Sequence, residues 1–206
     1  MFILNDVRDW ALDYQIFSDL LLSHQGYLGS YSQKNELGGW QQDGQTKLYF
    51  SNADLVWGSA YHLPRYGQGS TKASLEGLWR AHTGGHELVS YTYGKPTGLA
   101  YRFAENRLRD VRTRLFASQG YPIETIPPLR RVYMIGDNPD SDIAGPNTYK
   151  SENGTQWAGL LVKTGVWDPD RSGPFTDATK PLAIRDNVNQ AVRYALEREG
   201  VLEPTT

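Results

Sequence analysis

The sequence predicts an α/β protein with a parallel sheet, on three observations. Strand-like apolar runs alternate along the chain with segments of helical spacing. Two of the runs, Arg131–Ile135, apolar from Val132 on, and Ala158–Val162, have the near-continuous apolar pattern of strands covered on both faces. Both stop at small and polar residues, Gly136-Asp137 and Lys163-Thr164-Gly165, and in an open α/β sheet the ligand site lies beyond the carboxyl ends of the strands.

From the N-terminus, Phe2–Leu4 reads as a short strand and Trp10–Leu22 as an amphipathic helix, followed by a polar, Gly-rich excursion from His24 to Gly44. Leu48–Phe50 reads as a strand that ends at Ser51-Asn52-Ala53-Asp54. Leu75, Leu78 and Trp79 give Ser70–His82 helical spacing, which Gly84-Gly85 closes. Leu88–Tyr93 is a third strand, and Thr97 is the N-cap of a helix reaching Leu115. The Pro-rich stretch Tyr121–Pro128 leads into the first buried run. After the second run and a loose loop, a last helix is expected over Ile184–Glu199.

Composition excludes several classes of function. The 206 residues carry 21 Lys and Arg against 23 Asp and Glu, so no charge excess points to a nucleic-acid or membrane-surface binder. A hydrophobic share of 39% and an aromatic share of 12% exclude intrinsic disorder, and 21 Gly with 11 Pro predict many loops. With no cysteine, a disulfide framework, a thiolate zinc site and a cysteine nucleophile all fall away. Met1–Leu4 runs straight into Asp6, Arg8 and Asp9 without the features of a secretory signal. No apolar run is long enough for a transmembrane segment. Asn153-Gly154-Thr155 fits a glycosylation sequon but reads better as a polar turn. Arg65 to Lys72 misses the residue order of a P-loop.

Chemistry concentrates in two clusters at strand ends, Gly94-Lys95-Pro96-Thr97 and Gly136-Asp137-Asn138-Pro139-Asp140-Ser141-Asp142. Asp137 and Asp142 are candidate oxygen ligands for Mg²⁺, and Lys95 is a candidate counter-charge for a phosphate or carboxylate. Taken singly, a Gly-Asp after a strand is often a turn and a lysine is usually solvated. The two clusters together, in this order and each at a strand end, are far more specific.

Lys95 in Gly-Lys-Pro, Val132–Ile143 and Leu161–Val166 resemble the third and fourth motifs of the haloacid-dehalogenase-like (HAD) hydrolases, subclass IIA. The narrower likeness is to the cat eye syndrome critical region branch, supported by Asn5–Trp10, Ser51–Leu55 and Pro64–Gly69, so that it runs over nearly the whole chain. The resemblance implies an incomplete HAD-like Rossmannoid parallel sheet with part of a C2-type α/β cap, divided into a partial cap at 1–90 and the C-terminal half of the core at 91–206. It makes Lys95 the residue that steadies the nucleophile and the transferring phosphoryl group. Asp137 becomes a Mg²⁺ ligand and Asp142 its partner, which holds or orients the metal through water. Gly94, Gly136, Asn138 and Ser141 are implied as supporting residues. Asn52, Asp54 and the Gly67–Gly69 loop are implied as cap residues near the substrate, although each also reads as a turn residue that shapes its loop.

The family's reaction starts from an aspartate nucleophile in an Asp-x-Asp pair. The literal matches here are Asp140-Ser141-Asp142, already in the fourth motif, and Asp168-Pro169-Asp170, which follows no buried strand. The expectation is therefore a chain that is inactive or weakly active alone, with Mg²⁺ binding weak or absent. It would belong to a Mg²⁺-dependent phosphatase-like hydrolase of a small phosphorylated metabolite, so its status as an enzyme stays open. The alternative is a noncatalytic HAD-fold binding or scaffold protein that self-associates or is completed by another chain, since the Val132–Ile135 strand would present an uncovered edge. The resemblance further implies a mitochondrial setting linked to glycerophospholipid metabolism, with the cytoplasm as alternative.

Overall fold

Parallel strand pairing with intervening helices occurs twice along the chain, and the two instances form separate compact units. The computed structural model describes residues 1–203. One unit is Met1–Trp57 with Pro64–Gly94, and the other is Gly58–Leu63 with the chain from Lys95 onward.

The first unit contains β1 (Phe2–Ile3), α1 (Trp10–Leu22), β2 (Leu48–Phe50), β3 (Val56–Trp57), β4 (Arg65–Tyr66), α2 (Gln68–His82) and β5 (Ser90–Thr92). Its sheet has the order β1-β2-β5, all parallel, with Ile3 opposite Phe50 and Phe50 opposite Thr92. The alternation of a strand divides its side chains between two faces. Leu48 and Phe50 are fully buried against Ile3, Leu21, Leu75, Trp79 and Leu88. Tyr49 points to the other face and stacks on Phe2, Tyr91 and Tyr93 at ring separations of 4.7, 5.2 and 5.6 Å. Asp9 caps α1 by accepting from the Leu12 amide at 3.1 Å.

The 24–44 excursion contains an ordered turn that its composition hides. Ser32 caps a 3₁₀ turn at Gln33–Leu37, which Gly38 ends at φ +73. Asp43 gathers the segment: one carboxylate oxygen accepts from Ser32 Oγ and lies beside His24 Nδ1, both at 2.7 Å, and Lys34 Nζ stands 3.4 Å from the other. These contacts, Ser32 first and then His24, lower the Asp43 pKa to about 2. The two-residue antiparallel ribbon β3–β4 is a further element without a clear sequence signal.

The second unit contains α3 (Gly98–Ser118), β6 (Arg131–Gly136), α4 (Ala144–Thr148), β7 (Gln156–Val162), β8 (Ala183–Arg185) and α5 (Val188–Arg198). Its parallel sheet has the order β6-β7-β8, with Arg131 opposite Gln156 and Leu160 opposite Ala183. As the continuous apolar run predicts, β7 is covered on both faces, whereas β6, expected to be covered likewise, is only half-buried along its length. Leu161 packs with Ile143 and Trp167, while Leu160 and Val162 pack with Ala191 and, around them, Tyr133, Ile135 and Tyr194. Among the described residues β6 pairs only with β7, so its other edge is unpaired.

One expected element is corrected. Ile184 does not open the last helix; it lies in β8, opposite Leu161. Pairing with the buried strand overrides the helical pattern, and the helix begins after Asn187, whose side chain accepts from the Gln190 amide at 3.1 Å. Among the described residues no helix is long and apolar enough to cross a membrane.

Two outcomes follow from this packing. Phe50→Ala should cost about 3–5 kcal/mol in a urea-unfolding measurement, because it opens a cavity under the three-stranded sheet. Asp43 titrates in the folded chain at about 2, below the ordinary 3.8. Its contribution is thus complete above the ordinary value and is lost as pH falls toward 2. Asp43→Asn should flatten the pH dependence of the melting temperature across that window.

Candidate active-site loop after strand β6

The candidate site is built where β6 runs out. After Gly136 the chain enters a π-helical turn, Pro139–Ile143, capped by Asn138, whose side-chain oxygen accepts from the Asp140 amide at 3.1 Å. The turn folds Asp142 back beneath the strand end. There its Oδ2 accepts from the amides of Asp137, at 3.1 Å, and Asn138, at 3.0 Å, and its Oδ1 meets the ammonium of Lys95. The Asp142 side chain is only 3% exposed, so these donors replace the water its charge has lost. Lys95 is held on Asp142 with its side chain 36% exposed.

Asp137 is fixed separately. Its Oδ2 accepts from the Val166 amide at 2.6 Å, and its carbonyl accepts from the Trp167 amide at 3.1 Å, which ties the end of β6 to the loop after β7. Two glycines make the geometry possible: a Cβ on Gly136 would overlap the Asp142 carboxylate, and a Cβ on Gly165 would overlap that of Asp137. Ser141 is buried with its hydroxyl unpartnered among the described residues, and its carbonyl accepts from the Tyr101 hydroxyl at 2.9 Å.

Of the sequence-derived candidates, Lys95, Gly136, Asp137, Asn138, Ser141 and Asp142 belong to one unit, and their contacts form one network. Asn52, Asp54 and Gly94 belong to the other unit. There the Asn52 side chain accepts from the Asp54 amide at 2.9 Å, and the Asn52 amide donates to the buried Gln68 side chain at 2.8 Å. A Cβ on Gly94 would press into the backbone at Ser51 and Asn52, so glycine permits this close approach of two strand ends.

Sequence reasoning missed Tyr101 and Glu105, and it placed Gly165 and Val166 at a strand end and in a motif without giving either a role. Glu105 is fully buried in α3, and its carboxylate accepts from Ser151, Asn153 and Thr155 at 2.8 to 3.1 Å and from the Trp157 indole at 3.2 Å. Burial pushes its pKa up, but the bonds from Asn153, Ser151, Trp157 and Thr155 outweigh that and leave it lowered. Asn153 and Thr155, the sequon residues, thus form a polar turn wrapped around this carboxylate. The i,i+4 spacing of Tyr101 and Glu105 on one helix face was the available signal.

The Mg²⁺ that the resemblance implies is poorly served by these residues alone. Both Asp142 oxygens already hold protein donors, which leaves Asp137 as the carboxylate on offer. Among the described residues no group of three or more His, Asp or Glu side chains could hold a metal ion. The donor set of the described residues does not make a Mg²⁺ site by itself.

The family model described as HAD-hydrolase-like matches residues 92–191, the stretch that carries this network. A mitochondrial hydrolase of Saccharomyces cerevisiae is 36% identical over 206 residues, covering 95% of this chain. Residues 92–191 belong to the HAD-hydrolase-like family. A cardiolipin synthase (CMP-forming) / mitochondrial hydrolase fusion protein of Schizosaccharomyces pombe is also 36% identical, over 91% of this chain. The chain spans 54% of the first relative and 27% of the second. Among solved structures, a p-nitrophenyl phosphatase from Archaeoglobus fulgidus aligns at 20% identity with a TM-score of 0.43, over 77% of this chain and 51% of that one.

Gly165→Ala is expected to expel the Asp137 side chain from the Val166 amide and to cost about 1–3 kcal/mol in chemical denaturation. The same change at Gly173, which has open space around it, should cost under about 0.5 kcal/mol.

Proposed function

We propose that this chain is the lysine-bearing and acid-loop-bearing part of a phosphohydrolase of HAD subclass IIA, of the cat eye syndrome critical region type, acting on a small phosphorylated metabolite. The observation that carries this reading is the pairing of Lys95 with an Asp142 anchored on the amides that follow β6. A fixed ammonium beside a strand end can meet the charge that develops on a transferring phosphoryl group without reorganising. Lys95 is the catalytic cation in this reading. Asp142 is a positioning residue, with Gly136, Asn138 and Ser141 shaping its loop. Mg²⁺ dependence belongs to the longer protein, where Asp137 would be one ligand among others that this chain does not supply. Asn52 and Asp54 act on the substrate side, with Gly94 shaping the strand end before Lys95. The names of the two mitochondrial relatives support placing the protein in the mitochondrion, and the fusion to a cardiolipin synthase in one of them supports a link to glycerophospholipid metabolism.

The test is phosphate release from a panel of phosphate monoesters with and without Mg²⁺. The chain would be assayed alone and co-expressed with the part of the Saccharomyces cerevisiae relative that it does not span. Release is expected only from the combination, and Lys95→Met should lower kcat by about 10²-fold or more. Equal activity of the Lys95→Met form, or no release from either preparation, would overturn the reading.

A further inference from the structure

At the N-terminal end of β6, the opposite end of the strand from Asp137, a cavity of about 550 Å³ opens in the second unit. Arg112 of α3, Arg130 just before β6, Arg131 and Tyr133 of β6 and Glu199 after α5 supply its polar lining, with Pro127–Leu129 and Leu196 as an apolar wall. The volume falls within the range of small-molecule sites.

The charge in this cavity is unbalanced. Arg131 is satisfied by Glu199 at 2.6 Å and by Gln156 at 3.0 Å, and Tyr133 also donates to Glu199. No carboxylate is paired with Arg112 or Arg130 among the described residues. The Nε of Arg112 is shut off from solvent with no acceptor, while its guanidinium lies 5.0 Å from the centre of the Phe116 ring. Arg112 is half-buried and Arg130 exposed, and a planar guanidinium fork of this kind fits the oxygens of phosphate. Three guanidinium groups against one carboxylate, beside an apolar wall, make a place for an anion attached to an apolar group.

We propose that this cavity binds a phosphate group carried on a small apolar moiety, through Arg112 and Arg130, with Arg131 held in place by Glu199. The site is separate from the Lys95 network, so phosphate binding here does not depend on the phosphohydrolase reading. The same chemistry has two sources, a soluble organic phosphate or the headgroup of an anionic phospholipid.

The 206-residue chain would be titrated with inorganic phosphate and with phenyl phosphate by NMR chemical-shift mapping. It would also be sedimented with phosphatidylcholine vesicles with and without phosphatidylglycerol. Phenyl phosphate should bind more tightly than inorganic phosphate, and Arg130→Gln, at an exposed position, should weaken it about tenfold. Glu199→Gln should tighten binding, an outcome that simple loss of stability would not produce. Lys95→Met should leave it unchanged. Arg130-dependent binding of phenyl phosphate alone assigns a soluble ligand, and Arg130-dependent sedimentation with the anionic vesicles assigns a lipid headgroup. Binding that is lost in Lys95→Met and kept in Arg130→Gln, or no Arg130-dependent binding of either probe, would overturn the proposal.

Discussion

The second unit depends on how one buried carboxylate is satisfied. Asp142 carries charge into a place with almost no water, and such a charge is tolerated only when donors surround it. Two of its donors are backbone amides, so meeting the carboxylate fixes the path of the main chain as it leaves β6. The third, Lys95, comes from the start of the unit, so the same interaction joins sequence positions 47 residues apart. The wide π-helical turn, the bare Gly136 and the Tyr101 bond to the Ser141 carbonyl are all arrangements that let this carboxylate reach its donors.

Glu105 solves the same problem at another place. It meets only neutral donors, from Ser151, Asn153, Thr155 and Trp157, and thereby binds α3 to the turn that enters β7. Charge–dipole contacts of this kind are directional, so they set the position of α3 more sharply than apolar packing would. The few buried apolar contacts of α3 fit that division: of its residues, only Tyr101 and Glu105 are buried.

Much of this was legible in the sequence where a single local pattern carried the information. The continuous apolar run at Ala158–Val162 gave away a strand covered on both faces, and Trp10–Leu22 showed its helix through its spacing. Lys95 and the 136–142 cluster stood out because charged residues after apolar strands need a reason. The signal failed where a tertiary partner decides the outcome. Ala183–Arg185 becomes a strand only because β7 lies beside it, and Glu105 looks like any surface acid until its four partners fold over it. Gly165 stood out as a strand end, but its task was not legible, since it leaves room for a side chain that arrives from 28 residues earlier.

The open side of β6 has a consequence for anything that joins it. The backbone groups along that edge are spaced at the sheet's fixed repeat, and side chains on a strand change faces at every residue. A strand that docks there in the right frame sets its apolar side chains level with Tyr133 and Ile135, over the face that α5 already covers. Shifted by one residue, the same strand would make as many backbone bonds and turn every side chain to the wrong layer. The edge therefore acts as a reading frame, and the arrangement of layers on either side of β6 is what separates a correct partner from a merely adhesive one.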